Sequence, residues 1–458
     1  MEKVKWIDGG VCAPKGFRAS GVHAGVKSSH SVDPNSNTAS EKPDLALILA
    51  DKPCDAAAVF TKNVVKAAPV LLSRERIGLP PSPPSERGAR PGETPPSKRG
   101  EAPQGQGGVL QAVILNSGNA NACAPNDYAN AVKMSKAIAD ALGISEEIIG
   151  VASTGVIGQE LNIGAITAAI PELIGALGDN SDAAAKAIMT TDTVKKEFAV
   201  ETEIGGKTVR IGGIAKGSGM IHPNMGTMLS VITTDCAISR ELLDKVLRNA
   251  VCESFNRISV DGDTSTNDTC FILASGDAGN AEITLEDNYG SETWVGSDAW
   301  VFEDALCALC VKLAVAMASD GEGAKHLITC VVSESENEPK AEAIAKSVIS
   351  SSLVKSMIFG EDANWGRVLC AMGYSGESFN PERVDVTFRS KAGEVAVCNS
   401  GRGLMFDEDL AKKVLSEHDI EILISLNEET APGEFGWCMC WGCDLTYEYV
   451  KINGDYRT

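Results

Sequence analysis

Residues 215–235, AKGSGMIHPNMGTMLSVITTD, set a lysine and a glycine-broken loop ahead of a Gly-Thr junction that opens a β-rich run. That order suits internal self-cleavage. The hydroxyl of Thr227 would attack the carbonyl of Gly226, the acyl group would shift from nitrogen to oxygen, and water would release a chain beginning with Thr227. An N-terminal threonine holds nucleophile and base in one residue. Its α-amine, ordinarily near ~7.7 to 8.0, is partly neutral around neutral pH, whereas a lysine near ~10.4 is not. By spacing alone, a Gly-Thr junction entering a strand is more often a plain turn. Thr154-Gly155 in STGVIG likewise reads first as a glycine turn after a buried strand, and Lys216 as one solvated lysine among glycines.

Two other constellations compete. ISVDGDTSTND offers Asp261 and Asp263 as nucleophile and acid/base of a Mg-dependent phosphohydrolase, with Asp268 near enough to hold the metal. The threonine of a D-x-D-x-T signature is displaced there, its place being taken by Ser265. An EF-hand fails as well, at Thr266 and Ile272. A hydrogen-bonded loop that braces a site fits these residues better. Fourteen cysteines could make a non-enzymatic zinc-binding scaffold, with Cys307 and Cys310, or Cys438, Cys440 and Cys443, as ligands. Neither group has paired C-x2-C knuckles. The first pair sits in a helical pattern, the second alternates like a buried strand, and the thiols are expected to be reduced. No G-x-S-x-G elbow occurs, and no metal site is expected.

The elements that must position these residues alternate between helix and strand. Helical periodicity covers 127–142, ending at Gly143, then the stretch after Ser239, 301–318, 340–357 and 408–416. Strand-like runs include VVKAAPVLL, VLQAVILN, IIGVAST, TMLSVITT, TCFILAS, HLITCVV, DVTFR, EVAVCN and IEILISL. FAVETEIGGKTVRIGGIA reads as a hairpin across Gly205-Gly206. The expected class is α/β or α+β, sheets covered by helices. Residues 73–108 hold eight of the nineteen prolines and no aromatic residue, too little apolar surface to offset chain entropy, and are expected to be a disordered surface insertion.

The 458 residues carry 41 Lys+Arg against 62 Asp+Glu, a formal charge of −21. Such a chain lacks the positive surface that nucleic acid or an anionic membrane requires. No run reaches the ~18 apolar residues of a membrane span, and the first residues resemble neither a signal nor a transit peptide. A cytoplasmic protein of two or three compact units is expected.

The chain resembles the ornithine acetyltransferase family, the self-processing glutamate N-acetyltransferases of arginine biosynthesis. The likeness covers nearly everything outside 73–108. It rests on FTKNVVKAAPV, NSGNANAC, STGVIG, MTTDT, AKGSGMIHPNMGTML, DGDTSTND, DGEGAKH, FGEDANWGRV, WGCDLTYEYV and the terminal INGDYRT. The resemblance implies that family's fold, with an autoproteolytic N-terminal threonine, and chains 1–226 and 227–458. It implies Thr227 as nucleophile, Thr154 and Gly155 as oxyanion hole, and cleavage between Gly226 and Thr227. Substrate contacts would come from Thr193, Lys216, Thr227, Glu322, Asn453 and Thr458. The implied reaction moves acetyl from N-acetylornithine to glutamate in a complex of two α and two β chains, without a cofactor. No residue decides whether acetyl-CoA is also a donor. Three departures stand out: Gly226 and Gly454 replace alanines common in the family, and the 73–108 insertion has no counterpart there.

Overall fold

The computed structural model describes residues 4–27, 42–78, 108–222, 228–286 and 294–454. The chain opens with β1 (Lys5–Ile7), β2 (Phe17–Val22) and the long β3 (Leu45–Phe60), then α1 (Ala68–Arg76), β4 (Gly108–Asn116), α2 (Asp127–Leu142) and β5 (Ile149–Ser153). Helices α3 (Ile163–Gly175) and α4 (Ser181–Ala187) lead into the hairpin β6 (Lys196–Ile204) and β7 (Lys207–Lys216). Next come β8 (Leu229–Thr234), α5 (Arg240–Glu253), β9 (Ile258–Ser259), β10 (Thr269–Ala274) and α6 (Asp298–Ser319). The remainder runs β11 (Leu327–Ser333), α7 (Glu338–Ser350), α8 (Ser352–Phe359), α9 (Trp365–Gly373), β12 (Asp385–Ser390), β13 (Gly393–Asn399) and β14 (Arg402–Gly403). It closes with α10 (Glu408–Leu415), β15 (Asp419–Ser425), β16 (Cys438–Cys443) and α11 (Tyr447–Gly454).

Nine strands form the first sheet, in the order β1-β6-β7-β8-β10-β3-β4-β5, with β2 paired to the first half of β3. β3 serves two partners because it bends: its register against β4 shifts between Leu49 and Cys54, where Asp51, Lys52 and Pro53 are exposed. Every residue of β8 and of β10 is buried, as expected for central strands covered on both faces. Helices α5 and α6 cover one part of this sheet and α1, α2 and α3 another. Seven strands, β14-β13-β12-β15-β11-β16-β9, form a second sheet packed by α7, α8, α9 and α10. Helix α6 also touches β9 and β16, which joins the two layers. The arrangement is the layered α/β sandwich that the sequence led us to expect.

Local signals account for most element ends. The Ser239 hydroxyl accepts from the Leu242 N–H to cap α5, and Ser297 caps α6 in the same way. The β6–β7 turn places Gly205 and Gly206 at φ +56° and +71°, the left-handed pair of a tight hairpin.

Three expectations need correction. VVKAAPVLL is not a strand: Pro69 stands in the first turn of α1, where its missing N–H is harmless and its fixed φ favours a helix. Residues 340–357 do not form one helix, because Ser351 leaves the helical conformation and its hydroxyl caps α8. The insertion does not begin at residue 73. Ser73 is buried, its hydroxyl donating to the Val151 carbonyl at 2.8 Å and accepting from the Val151 N–H at 2.9 Å. Residues 79–107 lie outside the described residues.

All fourteen cysteines are free. Among the described residues no group of three or more His, Cys, Asp or Glu side chains is arranged to hold a metal ion. The zinc scaffold therefore gains no support. Among the described residues no helix is long and apolar enough to cross a membrane.

Candidate active site

Strand β7 ends at Lys216, opposite Leu229 of β8, and delivers its side chain into a cavity of about 130 Å³. Thr154, Gly155, Glu322 and Asn453 border the same cavity. Residues far apart in sequence thus meet where β5, β7, α6 and α11 end.

Lys216 is only 7% exposed. Its Nζ donates to Thr190 Oγ1 at 2.7 Å and reaches Thr154 Oγ1 at 3.4 Å. Asp192 Oδ2 lies 4.0 Å away. Burial pulls the Lys216 ammonium below the ordinary lysine value; Asp192 raises it, Lys196 lowers it, and Glu322 and Asp268 raise it. Burial alone would raise the Asp192 carboxyl, but Lys216, then Lys196 and the Gly217 N–H, outweigh that and hold it at about 2. Both carboxylate oxygens are bonded: Oδ1 accepts from Lys196 Nζ at 2.6 Å and from Gly217 N–H at 2.8 Å, and Oδ2 accepts from Thr190 N–H at 3.0 Å. Lys196, 1% exposed, also bonds Asp320. A continuous series of charges, Asp320, Lys196, Asp192 and Lys216, runs up to the cavity floor, which Lys216 alone of the four borders.

Thr154 and Gly155 follow β5 in a turn that only glycine can make. Gly155 has φ +132°, and a Cβ there would stand 2.2 Å from the Gly118 carbonyl carbon. The Thr154 N–H donates to the Asn116 carbonyl at 3.0 Å. Asn267 braces the turn from below, its amide donating to the carbonyls of Ser153 at 2.8 Å and Ala120 at 2.6 Å.

On the far wall, Glu322 is buried in the loop after α6. Its N–H donates to the Ser218 carbonyl at 2.9 Å, and Oε2 accepts from Asn453 Nδ2 at 2.6 Å. The carboxylate lies against Gly219, where a Cβ would sit 2.4 Å from Glu322 Oε2. Asn453 stands on α11, which has no buried residue. Cation and anion therefore face one small cavity.

Thr193 is placed differently from the sequence-based expectation. Its hydroxyl bonds Asp320, its N–H donates to Asp320 Oδ2 at 3.0 Å, and it does not border the cavity. Thr190, three residues earlier in MTTDT, faces Lys216 instead. The first turn after α4 rotates the motif so that Thr190 and Thr191 border the cavity while Thr193 points to the end of α6. Gly226, Thr227 and Thr458 lie outside the described residues.

Asp268 was singled out in the sequence only as a metal ligand. It is buried at the cavity margin, and its Oδ2 has no hydrogen-bond partner among the described residues. Burial pushes its carboxyl well up, against hydrogen bonds from Ser265 and Thr61 and the charge of Lys216. Asp261 is unsuited to a phosphohydrolase, since both its oxygens accept backbone N–H groups from Met220 and Ile221. That reading is not supported.

The sequence profile of the ArgJ family matches residues 18–458. Among curated relatives, the arginine biosynthesis bifunctional protein ArgJ of Symbiobacterium thermophilum is 45% identical over 99% of this chain and 100% of its own length. The protein of that name from Caldanaerobacter subterraneus subsp. tengcongensis is 43% identical over 99% of both chains. A solved structure, arginine biosynthesis bifunctional protein argJ from Bacillus halodurans, is 39% identical over 48% of this chain and 96% of its own, with a TM-score of 0.43. With a profile match over nearly the whole sequence and relatives aligned end to end, the chain belongs to the ArgJ family.

Proposed function

We propose that this protein is the glutamate N-acetyltransferase of L-arginine biosynthesis, moving acetyl from N-acetyl-L-ornithine to L-glutamate through an acetyl-Thr227 intermediate. The observation that carries this reading is the cavity that sets buried Lys216 opposite Glu322, beside the Thr154-Gly155 turn. Both substrates present an α-carboxylate, which Lys216 suits. Glu322 suits the cationic δ-amine of ornithine.

In the first half-reaction the Thr227 hydroxyl oxygen attacks the acetyl carbonyl while its α-amine takes the proton. Thr154 Oγ–H and the Gly155 N–H stabilise the oxyanion, each such donor contributing roughly 3 kcal/mol. The carbon–nitrogen bond then breaks, and the proton passes to the departing α-amine of ornithine. Glutamate's α-amine reverses the sequence and leaves as N-acetylglutamate. No cofactor is needed. The relatives' name, bifunctional, fits a second activity at the same threonine, and assays with acetyl-CoA in place of N-acetylornithine decide whether it is a donor.

Maturation belongs to the same reading. The Thr227 oxygen attacks the Gly226 carbonyl, the peptide C–N bond gives way to an ester, and water hydrolyses it to a Gly226 carboxylate and a free Thr227 amine. Chains 1–226 and 227–458 would remain together as two α and two β subunits of a cytoplasmic enzyme, with Asn453 and Thr458 closing the substrate site and Thr193 acting only through Asp320. Denaturing electrophoresis with intact mass measurement tests this. Wild-type protein should give those two fragments, and Thr227→Ala should stay whole and inactive. Acetyl transfer by an uncut wild-type chain would overturn the mechanism.

A further inference from the structure

The Asp/Thr-rich loop VDGDTSTND, besides bracing the Thr154-Gly155 turn through Asn267, grips the chain on both sides of residues 223–227. On the upstream side, Asp261 Oδ2 accepts from the Met220 N–H at 2.6 Å and Oδ1 from the Ile221 N–H at 2.9 Å. The Val260 N–H donates to the Ile221 carbonyl at 2.7 Å, and the Thr264 hydroxyl to the His222 carbonyl at 2.8 Å. On the downstream side, the Thr269 N–H donates to the Met228 carbonyl at 2.8 Å, and the Met228 N–H donates to the Asp268 carboxyl.

The loop is itself fixed to the frame. Thr61 Oγ1 donates to the Ser265 carbonyl at 2.8 Å, Asn63 Nδ2 to the Thr264 carbonyl at 2.8 Å, and the Thr61 N–H to the Asp268 carbonyl at 2.9 Å. Met220 adds a second, independent sign. It is 43% exposed and adopts φ +55°, a left-handed conformation that a residue bearing a long side chain avoids. The Met220 and Ile221 N–H bonds to Asp261 hold it there, and backbone strain of this kind persists where surrounding contacts impose it.

We propose that Asp261 is a positioning residue for self-cleavage: by clamping Met220 and Ile221 while Asp268 and Thr269 hold Met228, the loop fixes both ends of the five-residue stretch that contains the Gly226-Thr227 bond. This rests on the self-processing reading above. The N-to-O shift needs hydroxyl oxygen and carbonyl carbon brought within roughly 3 to 3.5 Å, and a stretch with both ends pinned samples that approach far more often than one with a free end.

The full chain, made by cell-free translation so that time zero is defined, is followed by electrophoresis and intact mass. Asp261→Asn keeps the shape but only one acceptor oxygen, so it loses either the Met220 N–H with the Tyr449 hydroxyl or the Ile221 N–H with that of Asp263, and should lengthen the cleavage half-time roughly 10- to 100-fold. Its thermal midpoint should stay within a few degrees of wild type. Asp263→Asn removes the same charge from the same loop without removing an acceptor, and should cleave at the wild-type rate. Cleavage of Asp261→Asn within about twofold of wild type overturns the clamp, as does equal slowing of both variants. If Asp261→Asn does not fold, Thr264→Val carries the test. It deletes one hydroxyl bond to His222, and a wild-type rate there overturns the clamp. A wild-type chain that never cuts removes the processing reading and the clamp with it, an outcome distinct from either variant result.

Discussion

The floor and the far wall of the cavity are built on opposite principles. Behind the floor, Asp192 and Lys196 are buried and the Asp192 carboxylate accepts three hydrogen bonds. In the wall, Glu322 is held from α11 by the 2.6 Å bond to Asn453, on a helix with no buried residue among those described. A charge in the floor cannot move without breaking several bonds. One in the wall can. Under the proposed reaction this matches the substrates: both have the same α-carboxylate for Lys216 to hold, and they differ in the side chain that meets Glu322.

The sharpest way to break the contrast is Lys196→Met. Removing Lys196 takes from Asp192 and Asp320 the cation they share and leaves Asp192 only Lys216, 4.0 Å away, so the loss should be about 3 to 5 kcal/mol of stability, read by denaturant unfolding. A loss below about 1 kcal/mol would mean that the floor is no more rigid than the wall.

Next in size is a pH effect. Lys216 lies below the ordinary lysine value and Asp192 is the group that most raises it. Asp192→Asn should therefore lower it further. Because the charged form binds the carboxylate, the alkaline limb of kcat/KM should move to lower pH in the variant. Stability carries the matching acid signature. Asp192, held at about 2 when folded, stabilises the native state above its unfolded value of roughly 3.9. That contribution fades as pH falls through 2, and Asp192→Asn should abolish this slope.

The wall should yield least. Glu322→Gln should raise KM for N-acetylornithine roughly tenfold, the worth of one charge-assisted hydrogen bond, and change KM for glutamate less. Asn453→Ala should shift both only about two- to threefold, with thermal stability unchanged. An Asn453→Ala effect as large as that of Glu322→Gln would show that α11 is as firmly set as the floor.

The fold was legible wherever a residue's role is local. Helix α2 matches its expected bounds because Gly143 ends it in the left-handed region, and α5 begins where Ser239 can cap it. Errors arose where one residue outweighed the run around it, as Pro69 did for α1 and Ser351 for α7 and α8. The site divides the same way. Lys216 and Gly155 stand out by their glycine-rich surroundings and border the cavity. The Lys196–Asp320 contact joins residues 124 positions apart and leaves no periodic trace. Thr190 and Thr193 share one short motif, and only the turn after α4 separates the threonine facing the cavity from the one facing Asp320.

The strand order of the first sheet carries one more consequence. β8 and β10, both downstream of Thr227, lie between β7 on one side and β3 on the other, both upstream of it. Segments 1–226 and 227–458 are thus shuffled like two hands of cards, with the second pair of strands bridging two blocks of the first. Neither segment can close that sheet alone. Folding must therefore come before any cut, heat should melt both pieces in one transition, and separately made halves should reassemble only by refolding together, never by docking as finished bodies.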